Sequence, residues 1–242
     1  MNSVNKTSRV LGVAFLLQAV TSLTSGLILR LALTVPGNIS ETMVTIANNA
    51  WLMRANILGE MITALGIIFL GAVLFVTLRK ENEKLALVGL GFYGLEAVML
   101  AVSRIAAFSL LRISQEYVTA GHPAYLQTLG NLAFESMNFA YGALLMLAFC
   151  LGAIPFYYLL YKSAIIPRAL SLWGLITVFP CLAGTLLTLF GYEVPFAVFL
   201  PYAPFEFVVG VWILVKGIND GSETKQSPRL EAIGLKEPSP SG

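Results

Sequence analysis

The sequence predicts an all-α integral membrane protein, a bundle of six transmembrane helices with both termini in the cytoplasm. The composition, six long apolar segments and the placement of the basic residues predict this class. Of the 242 residues, 57% are hydrophobic and only 12% are charged, which is far from the average of soluble domains. A transmembrane β-barrel would instead show segments of about ten residues that alternate apolar and polar side chains, and the chain lacks that pattern.

Each apolar segment is long enough to cross the hydrocarbon core of a bilayer. That core is about 30 Å thick and needs roughly 20 helical residues at 1.5 Å each. The first segment follows Lys6 and Arg9 as a signal peptide would, but about 24 residues is too long for the apolar part of one, so we interpret it as an uncleaved crossing. The predicted crossings are residues 10–33, 55–78, 85–111, 137–161, 170–190 and 196–215.

The basic residues predict the orientation, because they collect on the cytoplasmic side of membrane proteins. In the six-segment arrangement every lysine falls on one side, together with both termini. We therefore expect both termini to be cytoplasmic. The net charge of +2 reflects this topology, and the basic residues do not form a stripe that would bind nucleic acid. The cytoplasmic set is Lys6, Arg9, Arg79, Lys80, Lys84, Lys162, Arg168, Lys216, Lys225, Arg229 and Lys236, against Arg30, Arg54, Arg104 and Arg112 on the outer side.

Two predicted outer loops carry helical patterns of their own. In the first, Ser40 is placed to cap a helix with Glu41 in its first turn, and the apolar residues that follow recur at helical spacing. The second is the loop over residues 114–131. Both patterns predict short interfacial helices that cover the bundle, and simple connectors with an interfacial face are the alternative.

The familiar motifs of cofactor sites do not apply to this chain. Gly89, Gly91 and Gly94 spell G-x-G-x-x-G, which indicates a dinucleotide site only between a strand and a helix; inside a membrane segment it favours close helix packing. His122 is the single histidine and lies in a predicted loop, so a serine triad has no base in the membrane segments. No Cys/His/Asp cluster has metal-ligand spacing, and we expect neither a metal nor a cofactor.

Charges inside the predicted helices are the candidate functional residues, because ionisable groups in a bilayer are costly and face the bundle interior or a cavity. At 1.5 Å per residue, Glu60 lies about 9 Å below Arg54 and Arg104 about 12 Å below Arg112. These matched depths predict an ion pair between neighbouring helices. Glu135, Asn138 and Tyr141 continue a polar path at the outer start of the fourth segment.

Glu96 and Glu206 lie nearer the midplane, on the third segment of each three-segment half. Glu206 follows Pro201 and Pro204, which disturb the helix and free carbonyls one turn earlier. Broken helices beside carboxylates are where transporters often bind substrates and ions. Two carboxylates in one poorly solvated cavity disfavour double ionisation, so we expect the pair to hold a proton.

The chain resembles the bacterial membrane proteins of the domain-of-unknown-function 4386 family. This resemblance covers the chain up to about Ile218 and implies a bacterial protein with six crossings, without an activity or catalytic residues. It is carried by Leu11-Gly12, Arg54-Ala55-Asn56, Leu95-Glu96-Ala97, Ile166-Pro167-Arg168, Trp173-Gly174, Phe205-Glu206, Trp212 and Lys216-Gly217.

The sequence therefore predicts a transmembrane domain over residues 1–218 in the cell membrane and a disordered cytoplasmic tail over 219–242. The favoured function is binding or transport of a small molecule or ion, in a proton-coupled manner, through an outward-facing polar pocket. An intramembrane enzyme acting on a lipid-like substrate, or a structural or signalling protein without a ligand, are the alternatives. Membrane lipids are the expected partners, and the pocket candidates are Glu60, Glu96, Arg104, Glu135, Asn138, Tyr141 and Glu206.

Overall fold

Helices form the regular structure in the computed structural model, which describes residues 3–219 of the chain and their side chains from residue 7 onward. Within that part, four helices are long and apolar enough to cross a membrane: Thr7–Leu33, Ala50–Thr119, Ala124–Ser163 and Arg168–Leu189. Large apolar side chains such as Leu65 and Ile105 are more than three-fifths exposed on them. Soluble monomers rarely expose so much apolar surface, so the fold supports the membrane class. Of the predicted tail, residues 219–242, only Asn219 is described, and its amide N–H donates to the Ile165 carbonyl at 2.8 Å; the rest lies outside the described residues.

A sharp break at Asn82 folds the helix Ala50–Thr119 into a hairpin. Asn82 has extended backbone angles (φ −163°, ψ 101°), and its side chain accepts a hydrogen bond from the Leu85 amide at 3.1 Å, which is how asparagine caps the start of a helix. The arms, residues 50–81 and 83–119, run antiparallel and pack closely. A Cβ built on Gly71 of the first arm would lie 3.2 Å from Tyr93 of the second. Helices therefore cover the second and third predicted segments and extend beyond both of them.

The N-terminal helix packs between the first arm of the hairpin and a short helix, Phe205–Lys216. It runs as Ser3–Thr21, a π-helical segment Ser22–Leu29, and Arg30–Leu33. A Cβ on Gly12 would lie 2.8 Å from Leu214 of the short helix, and one on Gly66 of the first arm 3.3 Å from Gln18. Small residues permit this close approach of helices in lipid.

The remaining contacts close the helices into a ring. The second arm packs on the Ala124–Ser163 helix, where a Cβ on Gly89 would lie 2.9 Å from Phe156. That helix contacts Arg168–Leu189, which in turn packs on the short helix where Gly174 abuts Phe205. Gly91 and Gly94 have open space around them, so the packing prediction is confirmed for Gly89 and wrong for the other two, which face away from the described neighbours.

One end of the ring, here called the cap end, is closed by the cap helix Ile39–Asn48. The predicted helix is confirmed, but its cap is Asn38, whose side chain accepts from the Glu41 amide at 3.0 Å. Ser40, the predicted cap, instead shares a hydrogen bond with the Tyr117 hydroxyl, because it already lies inside the first turn. The opposite end carries the Asn82 turn and is called the lysine-rich end.

The helical pattern predicted for the loop over residues 114–131 is confirmed, but the separate short helix is wrong, because the residues extend the two neighbouring helices. The second arm continues to Thr119, a tight turn follows with positive φ at Gly121 and His122 (75° and 64°), and the next helix begins at Ala124. The extra helix is stabilised by tertiary packing: Leu126 and Met137 are buried in an apolar core at the cap end that includes the cap helix. Helices therefore extend beyond the apolar segments that the sequence marks.

The last predicted segment, residues 196–215, is helical only in part. A short 3-10 helix, Phe196–Val198, is followed by turns up to Pro204, and the α-helix begins at Phe205. The predicted disturbance at Pro201 and Pro204 is confirmed. The carbonyl of Pro201 accepts a hydrogen bond from the Trp173 indole N–H at 3.0 Å, which ties the broken segment to the neighbouring helix.

Candidate functional site

Two groups of buried and partly buried polar side chains lie among the helices of the ring. The first, here called the arginine cluster, lies toward the cap end and joins the N-terminal helix, both arms of the hairpin and the Ala124–Ser163 helix. Its members are Arg30, Asn56, Glu60, Ser103, Arg104, Asn138 and Tyr141.

Arg104 is the buried cation of the arginine cluster and is only 6% exposed. Its Nη1 donates to Asn56 Oδ1 at 3.2 Å, and its Nε and Nη2 donate to Ser103 Oγ at 3.0 and 2.9 Å. Asn56 in turn donates from Nδ2 to the backbone carbonyl of Ser25 at 2.7 Å. This chain of hydrogen bonds connects both arms of the hairpin to the N-terminal helix.

Arg30 approaches the same region from the end of the N-terminal helix. Its Nη2 donates to Asn138 Oδ1, and its guanidinium carbon lies 4.9 Å from the centre of the Tyr141 ring. The guanidinium of Arg104 lies 5.8 Å from the same centre. Both distances fall within the range of cation–π attraction, so Tyr141 holds the two cations beside each other despite their repulsion.

Glu60 is the carboxylate of the arginine cluster and is 2% exposed. Both Arg104 and Arg30 attract it, but the predicted direct ion pair with Arg104 is wrong, since no such contact within 4 Å is formed between these two described residues. Glu60 and Arg104 do lie at matching levels on the two arms of the hairpin, as predicted. The long Arg104 side chain reaches one turn further toward the cap end, where it donates to Asn56. There it lines the cavity together with Arg30.

Both π-helical segments of the described chain border the arginine cluster. Ser22–Leu29 supplies the Ser25 carbonyl and Gly26, beside which the Tyr141 hydroxyl and Glu60 lie. Ala140–Leu145 contains Tyr141 itself. Turns of π-helix are rare and occur frequently at functional sites. The distortion of two neighbouring helices at one level therefore indicates that this region of the bundle is a candidate functional site.

A small cavity of about 20 Å³ lies at the cap-end side of the arginine cluster. This volume accommodates about one water molecule. Arg30, Asn56 and Arg104 form its polar wall, and the cap helix contributes Ile46. The rest of its lining is Leu33, Thr34, Met53, Leu110, Phe134 and Met137. The cavity is thus amphipathic, because two cationic side chains and an amide share its lining with mostly apolar groups.

The second group, here called the tyrosine–carboxylate cluster, consists of Tyr93, Glu96, Tyr157, Tyr202 and Glu206. Tyr202 donates to Glu206 Oε1 at 2.7 Å, and its hydroxyl shares a second hydrogen bond of 2.7 Å with Tyr157. The Tyr93 hydroxyl is buried near that of Tyr157 but makes no hydrogen bond of normal geometry within the described chain.

Glu96 and Glu206 approach closely enough for their charges to repel each other. Glu96 is 5% exposed, and its Oε2 is buried without a hydrogen-bond partner among the described residues. Around them, the rings of Tyr157, Tyr202 and Phe205 pack in mutual contact. The cluster therefore places two carboxyl groups and three phenols in an aromatic interior, with no basic side chain among its members.

Glu135 and three further residues with reactive side chains lie outside both clusters. Glu135 is exposed, and its Oε1 accepts a hydrogen bond from Asn131 at 2.8 Å, so the structure does not bring it to the cavity. Cys150 and Cys181 are free, buried thiols within electrostatic range of each other. His122 lies in the turn before Ala124. Among the described residues, no group of three or more His, Cys, Asp or Glu could hold a metal ion.

Several members of the clusters were not predicted as site residues. Arg30 and Asn56 had been used only for orientation and family resemblance, and the tyrosines of the second cluster were overlooked. A usable signal was the run of small and hydroxyl-bearing residues from Thr21 to Gly26 in an otherwise apolar helix, which becomes the π-helical segment. Thr21 and Thr24 hydrogen-bond back to carbonyls four residues earlier, a habit that bends helices.

Comparisons with known proteins give the chain a family. The model of the family described as Domain of unknown function (DUF4386) matches residues 10–217, a range that includes every member of both clusters. No curated protein and no solved structure matches the chain significantly. Since the match covers most of the chain and agrees with the resemblance seen in its sequence, the protein belongs to the DUF4386 family.

Proposed function

We propose that the protein crosses the cell membrane six times and binds a small molecule or ion in the cavity at the cap end, which opens to the outside. Each arm of the hairpin, at roughly 48 and 55 Å, is long enough to cross a bilayer. The short helix reaches only about 18 Å and completes a sixth crossing together with residues 196–204. The termini and the lysine-rich end are cytoplasmic by the positive-inside rule.

Cysteine labelling in intact cells tests this topology. The background variant replaces Cys150 and Cys181 by serine. A membrane-impermeant thiol reagent added outside should label His122→Cys but should reach Lys80→Cys only after permeabilisation. External labelling of Lys80→Cys, or labelling of His122→Cys only in permeabilised cells, would show that the orientation is the opposite one. Labelling of both positions from outside would show that the second arm of the hairpin does not cross the membrane.

The observation that carries the binding proposal is the convergence of Arg30, Arg104 and Asn56 on one cavity. Cations at membrane depth are expensive and commonly mark ligand or ion pathways. The two π-helical segments beside them add a local distortion of the kind found at functional sites. The alternative of a purely structural network would use every donor of the two arginines on protein acceptors and would leave no cavity that both of them line.

The tyrosine–carboxylate cluster supports proton coupling of this binding. The described members of this cluster include no cation, and two carboxyl groups in such an interior disfavour double ionisation, so the pair can hold one exchangeable proton. The phenols of Tyr202 and Tyr157 connect Glu206 to the interior through hydrogen bonds of 2.7 Å. Glu206 also lies in the first turn of a helix that follows a broken segment, the arrangement in which transporters often bind ions.

Accessibility of the cavity is the decisive test of binding from outside. Thr34 lines the cavity and is partly exposed, so Thr34→Cys should react with the impermeant reagent in intact cells. Ser171→Cys, at a fully buried position, is the control and should stay unlabelled. Failure to label Thr34→Cys, in protein whose melting temperature is unchanged, would contradict an outward-open pocket.

The proton proposal has a separate spectroscopic test. A protonated carboxyl group has a carbonyl stretching band in the infrared that a carboxylate lacks. The purified protein should show such a band near neutral pH, and Glu96→Gln and Glu206→Gln should each change it. Glu41→Gln, a substitution of an exposed carboxylate, is the control. A spectrum without the band would rule out a shared proton.

A further inference from the structure

We infer that the cavity at the cap end takes an anionic oxygen group, a carboxylate or a phosphate, attached to an apolar chain. This inference rests on the proposed function and adds the chemical class of its ligand. The three observations behind it are the unused hydrogen-bond donors of the two arginines, the charge balance of the arginine cluster, and the apolar lining of the rest of the cavity.

The donor count shows that the guanidinium groups can take further acceptors. Each guanidinium carries five N–H donors in a planar fork. Within the described chain, Arg30 uses one of them on Asn138, and Arg104 uses three on Ser103 and Asn56. Both side chains line the same cavity, so the remaining donors have a common space in which to meet a ligand.

The charge balance favours an anion over a neutral or cationic ligand. Glu60 is attracted by Arg104 and Arg30 together, so two cations share one carboxylate in the arginine cluster. An excess positive charge at membrane depth is costly unless an anion compensates it. Carboxylates and phosphates accept paired hydrogen bonds from arginine in a geometry that neutral hydroxyls cannot match.

The shape of the cavity suggests the remainder of the ligand. Away from the arginines its walls are formed by Leu33, Ile46, Met53 and Leu110, among other apolar side chains. The present volume of about 20 Å³ accommodates about one water molecule, so the head group enters only when the lining side chains move apart. An apolar chain would extend between these side chains, where the cap helix supplies Ile46 as part of the wall.

Binding to the purified full-length protein in a neutral detergent tests the ligand class. The probes share an eight-carbon chain and differ in the head group: octanoate, octyl phosphate, octanol and octylamine. Isothermal titration should detect binding of the two anions and no binding of octanol or octylamine. Acetate and inorganic phosphate should bind at least about tenfold more weakly than their octyl counterparts, because they bury no apolar chain.

A matched pair of arginine variants assigns the binding to the cavity. Arg30→Gln removes a partly exposed cation and should weaken octanoate binding about tenfold or more, the loss of a charge-assisted hydrogen bond. Arg112→Gln removes an equal charge from an exposed position on the second arm and should change it less than about twofold. Arg30→Lys keeps the charge without the fork and should give an intermediate value. Equal melting temperatures of the variants without ligand establish that they fold.

A lipid could supply the same head group as a soluble anion. The source is tested in nanodiscs of phosphatidylcholine to which phosphatidylglycerol is added. If the membrane supplies the anion, the added lipid should raise the melting temperature of the wild type more than that of Arg30→Gln. If the anion is soluble, the lipid should change both melting temperatures equally. Octanol binding as tightly as octanoate, an undiminished affinity of Arg30→Gln, or the absence of any anion binding would overturn the ligand class. In each of these cases, labelling of Thr34→Cys would still uphold the outward-open pocket.

Discussion

The arginine cluster and the tyrosine–carboxylate cluster bury charge in two different ways. The first combines two cations, a carboxylate and amides around a tyrosine ring, and it lies where two helices depart from α-helical geometry. The second contains acids and phenols within a packed aromatic interior. The difference indicates that opposite charges compensate one another in the first cluster, whereas tyrosine hydroxyl donors take the place of a cation in the second.

Removal of the buried cation should have the largest effect. Arg104→Gln leaves the buried Glu60 carboxylate with weaker compensation and should lower the free energy of unfolding by about 3–5 kcal/mol. Arg112→Gln, at an exposed position of the same arm, should change it by less than about 0.5 kcal/mol. Unfolding followed by tryptophan fluorescence or circular dichroism in detergent measures both values. Equal effects of the two substitutions would contradict the role given to Arg104.

A double-mutant cycle tests whether Glu60 and Arg104 act together without direct contact. Since Arg104 attracts the Glu60 carboxylate, removing both charges by Glu60→Gln and Arg104→Gln should be milder than the sum of the single substitutions. A coupling free energy of about 0.5–3 kcal/mol is expected for residues of one network. Additivity within about 0.5 kcal/mol would mean that Glu60 is compensated by Arg30 or by solvent instead.

Packing next to the tyrosine–carboxylate cluster should show the second largest effect. A Cβ on Gly152 would lie 2.5 Å from a ring carbon of Tyr93, so Gly152→Ala should destabilise the protein by about 1–3 kcal/mol. Gly91→Ala meets no atom within 4 Å and should be neutral or stabilising, since alanine favours helix. Melting temperatures of the two variants provide the comparison. A stable Gly152→Ala variant would show that the Tyr93 ring has room to move.

Loss of one hydroxyl from the second cluster should cost less. Tyr202→Phe removes the donor to Glu206 and the partner of Tyr157, and each such hydrogen bond contributes about 0.5–1.5 kcal/mol. Tyr192→Phe, at a position that is 65% exposed, is the matched control and should leave stability unchanged. Chemical unfolding of the variants measures the difference. Indistinguishable unfolding curves would mean that water replaces the lost hydroxyl.

Neutralisation of an acid should have the smallest effect on stability in the second cluster. Glu96→Gln removes the repulsion with Glu206 and keeps a polar side chain of the same shape, so the free energy of unfolding should change by less than about 1 kcal/mol. The infrared carbonyl band should change while the melting temperature does not. A destabilisation as large as that of Arg104→Gln would show that Glu96 is a structural anion.

Particular residues show how far the sequence could predict the site. The levels of Glu60 and Arg104 follow from residue counts along two antiparallel helices, and the hairpin at Asn82 preserves that match. The direction of the Arg104 side chain does not follow from such counts, because its long stem can reach a full turn along the helix and selects Asn56. Glu135 shows the opposite failure: its depth was appropriate, but its side chain is exposed.

The sequence by itself determined the membrane class, the family and the positions of its apolar helices, because the length and composition of an apolar run depend only on local residue order. The break before Phe205 was equally local, since prolines remove hydrogen-bond donors wherever they occur. Only the tertiary structure decided the closure of the ring, the two π-helical segments and the grouping of Arg30 with Arg104. Those features depend on which faces of distant helices meet, and packing across the bundle fixes that choice.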